Sequence, residues 1–332
     1  MRSFDEPGGN PRPLPLGGRG ADGAPRFDQP VPPGGYLWWY FDALSDDGRH
    51  GLTVIAFVGS VFSPYYALAR SLGHGDPDNF CALNVALYGE GGKRWAMTER
   101  GRGQVSRSRD EYTLGPSRVR WDGRALVVDI DEIGVPIPRR IRGRVRVEPE
   151  GLCRFIAPLD EAGRHHWGPI APCARIEVEL EQPRLRWRGH AYLDSNEGSE
   201  PVDRAFIDWD WSRATMAGGD TAVIYDVRPR QGGERVIAQR FGRDGSARPF
   251  EAPPRHRLPT SMWRIPRQVR GDAVDPPQLL ATLEDTPFYV RSKISSTLLG
   301  ERLTSIHETL DVPRVVSLPV RLMLPWRMPR RP

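Results

Sequence analysis

The chain has 332 residues, of which 39% are hydrophobic, so it is long enough for two domains and too apolar to be disordered. The 35 glycines and 33 prolines predict many turns and few long helices. The net charge of +5 is carried almost entirely by arginine and is interspersed with 42 acidic residues, a pattern that argues against a nucleic-acid partner.

The first 33 residues are rich in proline and glycine. Residues 1–33 contain PGG, PRP, PLP and PVPP and show almost no apolar periodicity, which is typical of a flexible arm. Residues 1–16 have no apolar stretch, so no secretory signal is predicted. We therefore expect ordered structure to begin at Gly34.

From Gly34 to about residue 200, short runs rich in Val, Ile, Leu and aromatic residues alternate with turn residues, as in antiparallel β-sheets. The strongest hairpin signal is Asp122-Gly123. The only predicted helix, YYALARSLG, covers residues 65–73. The predicted strands of this part are 36–43, 51–58, 80–88, 94–100, 119–121, 125–130, 145–148, 175–180 and 185–192.

A second series of short apolar runs follows residue 200 and is punctuated by glycine turns. The predicted strands are 205–214, 221–227, 235–241, 262–265, 279–283, 288–292 and 315–324. The two series predict an all-β protein with a flexible arm at 1–33 and domains at 34–200 and 201–332. Two barrels packed side by side fit this spacing.

Motifs for cofactors and metals are missing from the sequence, which has no GxGxxG after a strand, no Walker loop, no GxSxG elbow and no HExxH. Cys81, Cys153 and Cys173 form no CxxC pair, so we expect buried thiols in a reducing compartment and neither disulfides nor zinc. The longest apolar run, 52–62, is interrupted by Gly59 and Ser60 and is too short to span a bilayer.

The segment WRGHAYLDSNEG at 187–198 places Tyr192 and Asp194 on one strand face, opposite Trp187. If that face lines an apolar interior, desolvation raises the pKa of Asp194 above the usual value of about 3.9. The resulting neutral carboxylic acid could protonate a hydrocarbon. The alternative is that DSN is an ordinary turn that closes the strand, and the residues alone leave both interpretations open.

Aromatic residues also lie beside carboxylates in GYLWWYFDALSDDG at 35–48 and FIDWDWSRA at 206–214. In the second segment, strand alternation places Ile207, Trp209 and Trp211 on one face and the aspartates on the other. Ring-bearing candidates for a substrate pocket are Trp38, Trp39, Trp187, Trp209 and Trp211.

Two further acid and base pairs have more ordinary interpretations. The two histidines of RHHWGPIAP at 164–172 are either an ordinary hydrogen-bonding pair or residues of a functional site. No third ligand lies at a suitable spacing, so they do not predict a metal site. Glu284-Asp285 is best interpreted as a strand end before a proline-containing turn.

Several long blocks resemble the carotenoid 1,2-hydratases of phototrophic and other bacteria. The resemblance extends from about Gly34 to Arg331 and is specific because the blocks are long and in order. Residues 1–33, 242–259 and 271–278 lie outside it. The blocks include GYLWWYFDALSDDGRHGLTVIAFVGSVFSPYY, CALNVALYG, RHHWGPIAP, HAYLDSNEG, FIDWDWSRA, LEDTPFYVRS and RMPRR.

The resemblance implies two lipocalin-like β-barrel domains. It also implies cofactor-independent hydration of the C1–C2 double bond of acyclic carotenoids such as neurosporene and lycopene, which gives tertiary 1-hydroxy products. In the family pattern, the proton donor is an aspartate two residues after a tyrosine, and this pair falls on Asp194 and Tyr192. The family's His-x-Trp element falls on His165 and Trp167.

The substrate implied by the resemblance determines the chemistry, since its end group has no polarising heteroatom. Asp194 would protonate C2 and leave a cation at C1, which the faces of Trp167 and Tyr192 could stabilise by about 2 kcal/mol. Trp38 or Trp39 could add to this effect. Water would then add at C1, with His165 or the new carboxylate taking its proton.

A carotenoid dissolves only in membranes, so we expect a cytoplasmic protein attached peripherally to the inner or intracytoplasmic membrane. Exposed aromatic residues and the basic tail at 327–331 are candidate contacts. Two other functions stay open, a lipocalin-like carrier and a cofactor-free cyclase with two barrels. If Asp194 is not the acid, the next candidates are Asp208, Asp210, Asp42 and Glu284.

Overall fold

The computed structural model describes residues 17–90 and 92–331. Residues 1–16, the first part of the predicted arm, lie outside the described residues. The predicted all-β class is confirmed, because the chain forms two large antiparallel sheets and a two-stranded ribbon. Cys81, Cys153 and Cys173 are buried thiols, as predicted.

The larger sheet of the described chain has 13 strands. They are β1 (Tyr36–Ser45), β2 (His50–Val58), β3 (Cys81–Gly89), β4 (Arg94–Arg100), β5 (Val105–Arg107), β6 (Glu111–Leu114), β7 (Ser117–Trp121), β8 (Leu126–Ile133), β9 (Arg140–Pro149), β10 (Ala157–Pro158), β11 (His165–Gln182), β12 (Leu185–Gly198) and, at the C-terminal end, β22 (Arg330–Arg331). Their order is β22-β4-β3-β2-β1-β12-β11-β9-β8-β7-β6-β5, with β10 beside β11. The predicted hairpin at Asp122-Gly123 is confirmed, since Trp121 pairs with Leu126 across it.

The first sheet curls around an apolar core of its own. Along β1, Leu37, Trp39 and Phe41 enter this core, whereas Trp38 and Tyr40 belong to a second apolar cluster on the other face. Side chains alternate across a strand, so neighbours in the sequence WW serve different cores.

Residues 17–33 pack against the first sheet, which corrects the prediction that order begins at Gly34. Phe27 is buried in the core of this sheet, with its ring centroid 4.9 Å from that of Trp39. Trp39 Nε1 donates to Gly18 O at 2.8 Å. A Cβ at Gly18 would lie only 2.6 Å from that nitrogen, so the close approach requires glycine.

The second sheet of the described residues has seven strands in the order β16-β15-β14-β13-β21-β20-β19. They are β13 (Phe206–Thr215), β14 (Thr221–Pro229), β15 (Arg235–Phe241), β16 (Ala247–Pro249), β19 (Gln278–Asp285), β20 (Tyr289–Leu298) and β21 (Glu301–Asp311), while β17 (Arg255–Leu258) and β18 (Arg267–Arg270) form the ribbon. The predicted strand at 262–265 is wrong, because these residues form a turn in which Arg264 has a φ of 59°, outside the β region.

One face of the second sheet packs against the outer face of β1 and β12 and completes the second apolar cluster. Trp209 and Trp211 of β13 both enter it. A register shift between Phe206 and Asp208 leaves Ile207 exposed. The predicted common face is therefore correct for the two tryptophans and wrong for Ile207.

Four helices of the described chain are α1 (Pro64–Ser71), α2 (Val202–Ala205), α3 (Val312–Val316) and α4 (Leu318–Arg327), and 3-10 turns cover Pro77–Asn79 and Arg102–Gln104. The helix predicted at 65–73 is confirmed as α1. The strand predicted at 315–324 is wrong, because α3 and α4 occupy this stretch. Asp311 caps α3 by accepting from Arg314 N at 3.1 Å. Both α3 and α4 have a proline near their first position, where proline is favoured.

The chain returns to the first sheet after α4. Arg330 pairs with Glu99 on β4, and its Nη1 lies 2.5 Å from Glu99 Oε1. Helix α4 is thereby fixed across the gap between the two sheets. Within 17–90 and 92–331, no helix is both long enough and apolar enough to cross a bilayer.

Candidate active site

A cavity of roughly 320 Å³ lies between the two sheets. Its walls are mainly apolar and are formed by β1 to β4 and β12 of the first sheet, by β13, β14, β21 and the turn between β19 and β20 of the second sheet, and by helix α4. Asp194 is a carboxyl-bearing residue of this wall, in the middle of strand β12. Trp263 and Met323 are partly exposed and also line the cavity, so they mark its mouth.

The position of Asp194 follows from strand phase and register. Tyr40 of β1 is its partner on one side and Pro169 of β11 its partner on the other. Tyr192 and Asp194 share one face, as predicted, while Leu193 enters the core of the first sheet. That face turns toward the second sheet.

Two hydrogen bonds fix the carboxyl group of Asp194. Trp167 Nε1 donates to Asp194 Oδ2 at 2.8 Å, and the Tyr192 hydroxyl donates to the same oxygen at 2.9 Å. The other oxygen, Oδ1, is buried and has no hydrogen-bond partner within the described part of the chain. A carboxyl group held in this way can present Oδ1 to a molecule in the cavity.

Burial raises the pKa of Asp194 to about 8, against the two donated hydrogen bonds, which act to lower it. The carboxylates of Glu308 and Asp42 raise this pKa further. The group is therefore protonated at neutral pH, and an apolar cavity wall carries a neutral carboxylic acid. This is the arrangement that acid catalysis on a hydrocarbon requires.

Aromatic rings surround the carboxyl group. The Trp211 ring lies 5.3 Å from the Tyr192 ring and 5.6 Å from the Tyr40 ring, measured between centroids. Trp38, Trp209 and Tyr225 also line the cavity. Ring faces in a desolvated site stabilise a cation.

The five tryptophans predicted for a substrate pocket divide into two groups. Trp38, Trp209 and Trp211 line the cavity. Trp39 and Trp187 lie in the core of the first sheet, on the strand faces that point away from the cavity. Their prediction as substrate-binding residues is therefore wrong.

The predicted catalytic residues lie together, but they occupy different depths. Trp167 and Tyr192 are buried behind Asp194 and are not part of the cavity wall. His165 is also buried, with Nδ1 2.8 Å from the Tyr36 hydroxyl and Nε2 3.6 Å from Glu200. The Tyr36 ring stacks on Trp38 at 4.9 Å, and the His165 ring also contacts Phe206 at 4.8 Å, so aromatic rings separate His165 from the cavity.

A buried charge network beside the cavity was not predicted as a unit. Asp42 accepts from Arg213 Nε at 2.9 Å and from Arg291 Nη2 at 2.5 Å. Glu308 accepts from Arg291 and from the Tyr40 hydroxyl. The partners of Asp42 come from β13 and β20, far from it in the sequence, so no local pattern predicts the network.

The alternative acids differ from Asp194 in their surroundings. Asp42 is held between two arginines, Asp208 pairs with Arg228 at 2.5 Å, and Asp210 accepts from Thr309 at 2.5 Å. Glu284 lines the cavity, and burial raises its pKa, but the Tyr88 hydroxyl binds it. No group of three or more metal-ligating side chains occurs among residues 17–90 and 92–331.

Residues 54–332 match the family described as Carotenoid hydratase CrtC. Two similar proteins are named acyclic carotenoid 1,2-hydratase. That of Rubrivivax gelatinosus is 68% identical over 311 residues, covering 93% of this chain and 77% of the relative. That of Thiocapsa roseopersicina is 53% identical over 328 residues, covering 95% of this chain and 81% of the relative.

Solved structures of low sequence identity share the fold. AttH from Nitrosomonas europaea superposes with a TM-score of 0.60 at 13% identity and covers 83% of this chain and 92% of its own. Kievitone hydratase from Nectria haematococca superposes with a TM-score of 0.53 at 9% identity. The match covers 85% of this chain and 90% of the hydratase chain. At these identities the likeness concerns the fold alone.

Proposed function

Because the chain belongs to the carotenoid hydratase family, we propose that it adds water to the C1–C2 double bond of acyclic carotenoids such as neurosporene and lycopene. The product is a tertiary 1-hydroxy carotenoid. The observation that supports this function most strongly is the Asp194 carboxyl group, which is neutral at pH 7 and has one free oxygen in an apolar cavity.

Asp194 acts as the proton donor. Its Oδ1–H bond breaks and the proton goes to C2, while the electron pair of the double bond forms the new C–H bond. A cation stays at C1, the more substituted carbon. Trp209, Trp211 and Tyr225 line the cavity, and their faces stabilise this cation by about 2 kcal/mol.

Water then adds to the cation at C1. Asn196 lies two residues beyond Asp194 on the same strand face, about 6.6 Å along the strand, and lines the cavity. Its buried Nδ2 makes no hydrogen bond of close geometry and faces the Tyr225 hydroxyl group, so these two polar groups can hold a water molecule between them. The carboxylate of Asp194 takes a proton from the added water, which restores the acid and balances the reaction.

Trp167, Tyr192 and His165 are positioning residues in this scheme. Trp167 and Tyr192 orient the carboxyl group through Oδ2, and His165 holds Tyr36 beneath Trp38. From the sequence we expected the rings of Trp167 and Tyr192 to face the cation. Neither ring lines the cavity, so we assign both residues to positioning the carboxyl group instead.

The reaction transfers a proton and a water molecule and changes no redox state, so we propose that it needs neither metal nor organic cofactor. Activity should persist in the presence of a chelator and without nucleotide, flavin or oxygen. Loss of activity on chelation, restored by an added metal, would contradict this proposal.

We further propose that the two sheets correspond to two lipocalin-like barrel domains, with the boundary near residue 200, and that the protein works on the cytoplasmic side of the inner or intracytoplasmic membrane. The substrate itself supports the second proposal, since a long apolar chain is dissolved in the bilayer and not in water.

The function is tested by incubating the protein with lycopene or neurosporene and separating the products by chromatography. The wild type should form a 1-hydroxy product, and Asp194→Asn should form none, because an amide keeps the shape but cannot deliver the proton. Thr309→Val is a matched control, since Thr309 is buried on the other face of the second sheet. Binding without any product would favour a carrier, and a ring-closed product would favour a cyclase.

A further inference from the structure

Helix α4 is apolar on two opposite faces. Its inner residues Val320 and Leu324 are buried against the cavity. Its outer residues Leu318, Leu322 and Trp326 are between 60% and 75% exposed. Because these three residues are spaced four apart, they form one continuous stripe along the helix. Contiguous exposed apolar side chains on a protein surface mark an interaction site.

A second group of exposed apolar residues lies at the mouth of the cavity. Met262 is 82% exposed, and Trp263 beside it lines the cavity together with Met323 of α4. The turn that carries them is fixed, since Asp285 accepts from Met262 N at 2.7 Å and Arg314 donates to Trp263 O at 2.7 Å. Exposed apolar side chains therefore border the opening on two sides.

The charges along helix α4 and the residues that follow it have one sign, whereas the nearby acidic residues Glu284 and Asp285 line the cavity. Residues 312–331 contain five arginines and no acidic residue. Arg314 pairs with Asp311 at 3.1 Å and Arg330 with Glu99 at 2.5 Å. Arg321 forms no ion pair with the described residues, which leaves its charge available to an external anion, whereas Arg327 lies over the Trp95 ring at 4.5 Å from the ring centroid.

We propose that Leu318, Leu322, Trp326, Met262 and Trp263, here called the portal face, insert into the surface of an anionic lipid bilayer. Apolar side chains enter the headgroup boundary while arginines at its edge contact lipid phosphates. Tryptophan is the residue favoured at this depth. A second copy of this chain fits less well, because a symmetric pair would bring the arginines of both copies together.

Docking in this orientation places the mouth of the cavity against the lipid. The end of an apolar chain can then pass from the hydrocarbon region to Asp194 without crossing water. The identity of that chain rests on the proposed function, whereas the docking itself does not depend on it.

The test is flotation of the purified full chain with vesicles that contain no carotenoid. The wild type should float with vesicles of phosphatidylcholine and phosphatidylglycerol, less with phosphatidylcholine alone, and less at high salt. The double variant Leu322→Glu/Trp326→Glu should lose more than tenfold in apparent affinity. Arg321→Gln should lose about fivefold, since each basic residue near the surface contributes about 1 kcal/mol.

Val274→Glu is the matched control, because Val274 is 97% exposed in the loop before β19 and outside the portal face. It should float like the wild type, and thermal melts should show that all variants are folded. Equal flotation of the double variant and the wild type would overturn the proposal. The proposal would also be overturned if the wild type does not float and sediments as a dimer, while the double variant sediments as a monomer.

Activity toward detergent-dispersed lycopene separates this proposal from the proposed function. A wild type that hydrates dispersed lycopene but does not float would overturn only the portal face. A wild type that floats but forms no product in detergent or vesicles would overturn the hydratase function and leave the docking in place.

Discussion

At Asp194, opposing influences act on one carboxyl group. Burial and the nearby carboxylates of Glu308 and Asp42 raise its pKa, while the hydrogen bonds from Trp167 and Tyr192 lower it. The two donors therefore have a cost, since they weaken the preference for the protonated form, and a benefit, since they aim the free oxygen. The result is a pKa of about 8, close to the pH at which a general acid works best.

The first prediction concerns pH. The active form of Asp194 is protonated, and its pKa is raised to about 8. The rate of hydration should therefore be constant below this pH and fall tenfold per pH unit above it. The measurement is the initial rate between pH 6 and pH 10. A rate that rises through this range would show that the ionised carboxylate is the active form.

The second prediction concerns Glu308. This carboxylate raises the pKa of Asp194, so Glu308→Gln should shift the alkaline limb of the rate profile to lower pH. Glu301→Gln on the same strand is the control, because Glu301 binds Ala217 N outside the cavity and should leave the limb unchanged. A shift of equal size in both variants would mean that Asp194 does not sense Glu308.

Among the elements, the N-terminal segment at 17–33 supports strand β11. Arg19 is buried and donates to Cys153 O at 3.1 Å, to Pro169 O at 2.7 Å and to Ser195 Oγ at 3.2 Å. These bonds hold the irregular part of β11, where the register against β12 shifts next to Asp194. One side chain therefore links the segment to both strands behind the acid.

The third prediction follows from these contacts. Arg19→Ala should lower the free energy of unfolding by about 3 kcal/mol, because it leaves buried carbonyl groups unpaired. Arg26→Ala is the matched control, since Arg26 forms a partly exposed pair with Asp28, and it should cost less than about 1 kcal/mol. Urea denaturation of both variants measures the difference. Equal losses would contradict the supporting role of Arg19.

Sequence periodicity predicted the strands whose two faces differ and failed where both faces are alike. The predicted alternation of side chains along residues 187–198 was correct, so the sequence alone placed Tyr192 and Asp194 on one strand face. Both faces of β1 are buried, so periodicity could not tell Trp38 from Trp39. Strand β21 was missed because its buried residues Ser305 and His307 are polar, and α4 was mistaken for a strand because it is apolar on two sides.

At the scale of the whole molecule, the site exists only where the two sheets meet. Asp194 comes from the first sheet, while Trp209, Trp211 and Glu308 come from the second. Asp42 binds Arg213 and Arg291 across the same boundary, so a buried charge network fixes how the sheets pack. No local pattern in the sequence carries this information, because it depends on residues up to about 250 positions apart.

The most direct test of the central claim is isotope labelling of one product. If Asp194 protonates C2 and water traps the cation, the product formed in deuterium oxide must carry one deuterium at C2. The product formed in oxygen-18 water must carry the label in its new hydroxyl group at C1, and labelled molecular oxygen must not contribute. Mass spectrometry measures all three. A hydroxyl oxygen that derives from molecular oxygen, or a product without deuterium at C2, would contradict acid-catalysed hydration.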